Sequence, residues 1–230
     1  MQISIFSTIL VVVLGIFSGS AKAETGQNYS DSIEAIAKRR GVLAKEWRVN
    51  PSARLQNAIE SEIISSVEEL FGYWLGTTWA LGAPQTTTPQ SGKINCGTFV
   101  GRILHDSGFV VKVKKLQRQP SQLIIKSFVG RGRIRKFSNA KMDKFLLSVR
   151  EMGPGLFIIG LDFHVGFLLQ TEIDLRFIHA SFETGTVVNE DAATAMPITS
   201  SGYKVVGKIL SPRNVRNWLS GERIKVKGKW

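Results

Sequence analysis

Phe163-His164-Val165-Gly166-Phe167-Leu168-Leu169 and, after five intervening residues, Leu175-Arg176-Phe177-Ile178-His179-Ala180 decide the fold of this chain. They read as two strands of a hairpin. A tight turn centred on Thr171-Glu172 pairs positions whose numbers sum to 343, as those of His164 and His179 do. In that register the two imidazoles stand directly opposite each other on one face, with Cβ atoms about 5 Å apart. A slip of one residue loses the opposition.

Outward from the hairpin the same period continues. After Gly153-Pro154-Gly155, strands are expected at 156–161, 163–170, 175–182, 185–189 and 203–210. Upstream the period is helical. Leu55, Ile59, Ile63, Val67, Leu70 and Phe71 form one amphipathic stripe, with Ser52 positioned as its N-cap. Cys96, Phe99, Val100, Ile103 and Leu104 form a second stripe that stops at Gly108, and a further helix is expected from Ala140 to Arg150. Ser30 or Asp31 is placed to cap a short helix through Arg39, and Pro212 to Leu219 forms a last short one. Gly82 to Ile94, with Pro84, Pro89 and Gly92, reads as a loop. Helices first and antiparallel strands after is an α+β pattern, with the helix that begins at Cys96 packed on the sheet.

Composition narrows the chemistry. The chain has 230 residues, one Cys, three His and a formal charge of +12. One Cys excludes an intramolecular disulfide framework and any Cys-rich zinc or iron–sulfur site, so no metal site is expected. Residues 112–144 carry a net charge of +10 and residues 211–230 a net +5, whereas 24–111 and 145–210 are slightly acidic. Ile3 to Phe17 is an apolar run of signal-peptide length, followed by the small-x-small pattern Ala21-Lys22-Ala23. Cleavage near Ala23 would export the protein to the periplasm or the medium. An exported protein rarely meets nucleic acid, so the expected partner of the cationic stretch 112–144 is an anionic cell-envelope polymer or headgroup surface.

The lone thiol gains meaning from position. Cys96 begins a helix, where backbone N–H groups and the helix dipole are expected to lower a thiol pKa and to stabilise an oxyanion. A thiol nucleophile also needs a base within hydrogen-bond reach. His105 lies nine residues along the same helix, about half a turn away in azimuth, and is a poor candidate. His164 and His179 supply a base and its orienter.

Leu75-Gly76-Thr77-Thr78-Trp79-Ala80-Leu81-Gly82 and Ile94-Asn95-Cys96-Gly97-Thr98-Phe99-Val100 resemble the nucleophile region of the NlpC-type cell-wall cysteine peptidases. Phe163-His164-Val165-Gly166-Phe167 and Phe177-Ile178-His179-Ala180-Ser181 resemble that family's two histidine strands. The resemblance implies a papain-like fold and hydrolysis of peptide bonds in peptidoglycan stem peptides without a cofactor. Carried over by position, it makes Cys96 the nucleophile, His164 the base and His179 the third member. Trp79 stands where many members have a Tyr, Asn95 where Asp is usual and Gly97 where Ser is usual; Trp79, Asn95 and Gly97 are the expected oxyanion and pocket residues. The implied organisation is a signal at 1–23, an N-terminal helical extension at 24–54, a peptidase-like domain at 55–220 with a basic insertion at 109–154, and a basic tail at 221–230. Two other functions fit the same residues: thiol-dependent acyl transfer on a lipid or peptide, and an inactive cationic envelope-binding module.

Overall fold

The computed structural model describes residues 14–82 and 84–228, with side chains from residue 26 onward apart from that of Arg131. The apolar run 3–17 falls largely outside them, and the 21–23 pattern falls where only backbone is described, in the opening turns of α1 (Leu14–Val49). The expected short helix capped at Ser30 or Asp31 is corrected by this 36-residue helix. Tertiary contacts explain the extension. Tyr29, Ser32 and Ile36 are buried along one face and meet α2 (Ala53–Trp74), where Trp74 Nε1 donates to the Tyr29 hydroxyl at 2.9 Å. Arg39 adds Nε to Glu62 at 2.6 Å and an Nη to Glu69 at 3.1 Å. α2 itself begins as its stripe requires, Ser52 Oγ accepting the Leu55 N–H at 3.2 Å.

A two-residue parallel pair, β1 (Thr78–Trp79) with β2 (Lys93–Ile94), brackets the expected loop and leads into α3 (Cys96–Asp106). Phe99 of α3 packs against Phe71 and Trp74 of α2 at ring-centroid distances of 6.1 and 6.3 Å. Apolar residues every three or four positions thus dock α3 against α2 on one side and the sheet on the other.

The basic stretch is woven into the fold. It forms α4 (Val113–Leu116), α5 (Ser121–Phe128), a 3₁₀ turn at Arg131–Arg133, β3 (Ile134–Ser138) and α6 (Met142–Arg150). β4 (Gly155–Gly160), β5 (Val165–Gln170), β6 (Leu175–Ala180), β7 (Val187–Asp191) and β8 (Tyr203–Lys208) follow, with α7 (Met196–Ser200) before β8 and α8 (Pro212–Ser220) after it. These six strands make one antiparallel sheet in the order β3-β8-β4-β5-β6-β7. The expected α+β architecture, with the Cys96 helix against an antiparallel sheet, is what the chain adopts.

Both faces of the sheet are covered. Leu156, Ile158, Val165, Phe167 and Ile178 join the core shared with α2, α3, α5 and α8, while Phe157, Ile159, Leu168, Phe177 and Val206 pack under α6 and residues 192–198. Double coverage accounts for the unbroken apolar run Leu156-Phe157-Ile158-Ile159, which shows no in–out alternation. Among the described residues no helix is long and apolar enough to cross a membrane.

Candidate active site

Three backbone elements meet at the N-terminus of α3. Asn95 caps the helix: its Oδ1 accepts the Thr98 N–H at 2.9 Å, and its carbonyl accepts that of Phe99 at 2.9 Å. Four amides open a helix without helical acceptors, here those of Asn95 to Thr98; Thr98 is satisfied by the cap and Asn95 N–H by Gln85 Oε1 at 2.6 Å, so the N–H groups of Cys96 and Gly97 remain. Both face the Cys96 thiol, as does the N–H of Val165 from the start of β5. The thiol therefore lies beside the residue that follows His164, and no hydrogen bond joins it to that imidazole. Burial pushes the Cys96 thiol up, and the three amides pull it down by less. The lowered pKa expected of a helix-start thiol is thus corrected: desolvation outweighs the dipole.

The histidine hairpin has a different register from the expected one. Gln170 pairs with Leu175 and Phe167 with Ile178, so pairing is displaced by two residues. The turn explains this. It spans Thr171 to Asp174, closed by Thr171 N–H to the Asp174 carbonyl at 2.9 Å, with Thr171 Oγ1 accepting the Asp174 N–H at 3.0 Å. A displacement of two keeps every side chain on its face, so the imidazoles meet diagonally: His164 Nε2 and His179 Nδ1 are 2.7 Å apart. Gly166 makes the approach possible, because a Cβ there would stand 2.8 Å from His179 Cβ and 2.6 Å from the Phe177 ring. His164 itself precedes β5, and its carbonyl accepts the Leu161 N–H at 2.8 Å. Asp162 anchors this turn to β8 by accepting the amides of Gly202 and Tyr203 at 2.8 and 3.1 Å.

The series continues to a residue that the sequence reading omits. His179 Nε2 lies 2.7 Å from Glu190 Oε1. A carboxylate only accepts, so His179 donates from Nε2 and accepts at Nδ1; His164 then donates from Nε2, and its Nδ1 is left unprotonated. Burial pushes both imidazoles well below the ordinary His range, His164 further by the adjoining His179. Burial also raises the Glu190 carboxyl, against the pull of Arg176. Glu190 lies on β7 beyond the expected end of that strand at Asn189. The β6–β7 pairing of His179 with Val188 brings it to the diagonal position on the same face. Extending the strand by two residues is the signal that would have found it.

The expected pocket residues divide. Trp79 N–H donates to the Gly185 carbonyl at 2.7 Å, and its ring is 6.2 Å from that of Phe182, which is 6.2 Å from His164. Phe182 is thus a further lining residue beside Trp79. The Asn95 side chain is engaged as the cap. Gly97 is small for a packing reason: a Cβ there would stand 2.7 Å from the Gln117 carbonyl oxygen, where the α4 segment crosses α3. His105 is half exposed on α3 and bonded to Asp106 at 2.7 Å, outside the series. Phe163, Phe182 and Leu81 leave exposed apolar surface of 97, 52 and 77%. Among the described residues no group of three or more His, Cys, Asp or Glu side chains is arranged to hold a metal ion. The site thus sets a thiol at a helix start beside Val165, and on the preceding residue, His164, an imidazole whose unprotonated Nδ1 is fixed by a buried series.

No protein-family model matches this sequence, and no curated protein matches it. Among solved structures the chain is similar to an N-acetylmuramoyl-L-alanine amidase from Bacteroides uniformis, at 10% identity over 66% of this chain and 100% of that one, with a TM-score of 0.38. A second structure with the same description matches at 10% identity over 63% of this chain and 97% of that one, with a TM-score of 0.32.

Proposed function

We propose that this chain is an exported cysteine hydrolase, papain-like and of the NlpC type, that opens a peptide amide in peptidoglycan stem peptides. The observation that carries the reading is the series Glu190–His179–His164, which leaves an unprotonated Nδ1 on His164, the residue before Val165, whose amide faces the Cys96 thiol. His164 Nδ1 takes the thiol proton as sulfur attacks the carbonyl carbon, and the C=O electron pair moves onto oxygen. The free amides of Cys96 and Gly97 are the donors to that oxyanion, with Trp79 beside them. Collapse breaks the C–N bond, the leaving amine takes the proton from His164, and a thioester remains on Cys96. Water gives a proton to His164 and attacks the thioester; the thiolate leaves and regains that proton. The steps call for no metal ion or organic cofactor.

The peptidoglycan assignment rests on the motif resemblance around Trp79, Cys96, His164 and His179. Export rests on the apolar run 3–17 and the Ala21-Lys22-Ala23 pattern, and the cationic stretch 112–144 supports docking on anionic envelope material. Digestion of purified sacculi by the wild type and by Cys96→Ala, with mass analysis of released peptides, tests the reading. Cys96-dependent fragments with new carboxyl ends are expected, and their absence from every wall type would sink it. The apolar rim of Phe163, Phe182 and Leu81 favours a second reading, acyl transfer from a lipid or peptide, in which an amine replaces water and the product is a new amide.

A further inference from the structure

The face of α3 turned away from the thiol borders a groove of about 820 Å³, walled by residues 85–87 and 111–118. Thr98, Arg102 and His105 line it; they recur at the spacing of one helical face, about 200° around the axis from Cys96 in the case of Thr98. Five Lys or Arg side chains line the groove, among them Lys112, Lys114 and Arg118, and no carboxylate does. Two polar atoms of the lining residues, Thr98 Oγ1 and Arg102 Nε, are buried without a hydrogen-bond partner. A buried donor left unpaired is costly, and native structures rarely keep one without a reason.

The Arg102 guanidinium is also held in position. One Nη pairs with Asp106 Oδ2 at 2.9 Å, and that buried carboxylate is fixed by the Tyr29 hydroxyl at 2.7 Å and by His105 at 2.7 Å. Asp106 thus takes one Nη and fixes the guanidinium, while Nε keeps no partner. A ligand that suits the groove must be anionic and must present several acceptor oxygens at once.

We propose that this groove is a binding site for phosphate-type oxyanions, distinct from the Cys96 site and independent of the reaction assigned to it. Thr98 Oγ1 and Arg102 Nε supply directed hydrogen bonds, and Lys112, Lys114 and Arg118 supply charge. The phosphate comes either free or as part of a phosphodiester polymer, and the two share this chemistry.

Titration calorimetry of the full chain with inorganic tripolyphosphate at 150 mM salt tests the site. Saturable one-to-one binding is expected. Thr98→Val keeps shape and charge but removes the hydroxyl, and should weaken binding about three- to tenfold. Lys112→Gln with Arg118→Gln, both exposed positions, should weaken it by more, whereas Lys225→Gln with Lys227→Gln in the tail should leave it within about twofold. Circular dichroism melts show that each variant is folded. Competition by a glycerol phosphate oligomer assigns the ligand to a polymer; competition by inorganic phosphate alone assigns it to a free ion; both uphold the site. Absence of saturable binding, or binding that the tail variant weakens equally and Thr98→Val leaves unchanged, overturns it in favour of a diffuse cationic surface.

Discussion

Glu190 sits two steps from His164, the proposed base, along the hydrogen-bond series, and it determines which nitrogen of His164 is free. Its carboxylate draws the His179 proton to Nε2, and that choice passes through Nδ1 to His164. An amide at this position can donate as well as accept, so Glu190→Gln admits the opposite tautomers. The variant should lose part of the roughly 10²–10⁴-fold that a positioned base contributes, about tenfold in kcat with KM little changed. A kcat–KM split against stem-peptide fragments reads this, and Glu190→Asp should restore part of the rate where Gln does not. Equal loss in both variants with a lowered melting temperature would make Glu190 a structural residue only.

At the scale of elements, the position of Gly166 on β5 lets β5 and β6 carry the two histidines into contact. Gly166→Ala overpacks the His179 and Phe177 side chains and should cost about 1–3 kcal/mol in chemical denaturation. Gly72→Ala on α2, where an added Cβ meets nothing within 4 Å, should be neutral or stabilising by up to about 1 kcal/mol. Helices and strands with a clear apolar period, such as the Leu55–Phe71 stripe and Leu156–Ile159, were legible in the sequence because packing follows the period there. β3 was not, since Ile134-Arg135-Lys136-Phe137-Ser138 lies at a sheet edge and carries two cations in a run of like charge. The His164–His179 contact was legible in kind but displaced in register, because Thr171 bonds to Asp174 and centres the turn on Glu172-Ile173, one residue beyond the assumed Thr171-Glu172. α1 outran its local caps for a tertiary reason, the Tyr29 and Arg39 contacts to α2.

For the molecule as a whole, burying two neutral imidazoles makes stability depend on acid. Both are held down, to about 3, from an ordinary value near 6.5. Between those values the unfolded chain binds protons that the native chain refuses, so their stability contribution is intact above about pH 6.5 and is lost as pH falls towards 3. The melting temperature should therefore drop between pH 7 and pH 4, and His179→Gln should flatten part of that slope. A variant slope equal to the wild type would show that other groups carry the acid sensitivity.

The central claim is that His164 serves Cys96 as its base, and the rate of Cys96 alkylation by iodoacetamide as a function of pH tests it most directly. Because burial raises the thiol, wild type should react slowly near pH 6 and faster as pH rises, with a rate at pH 7–8 that His164→Ala lowers by about tenfold or more. Superimposable pH profiles for wild type and His164→Ala, or a thiol inert throughout, would contradict the account and leave a cationic envelope-binding module in its stead.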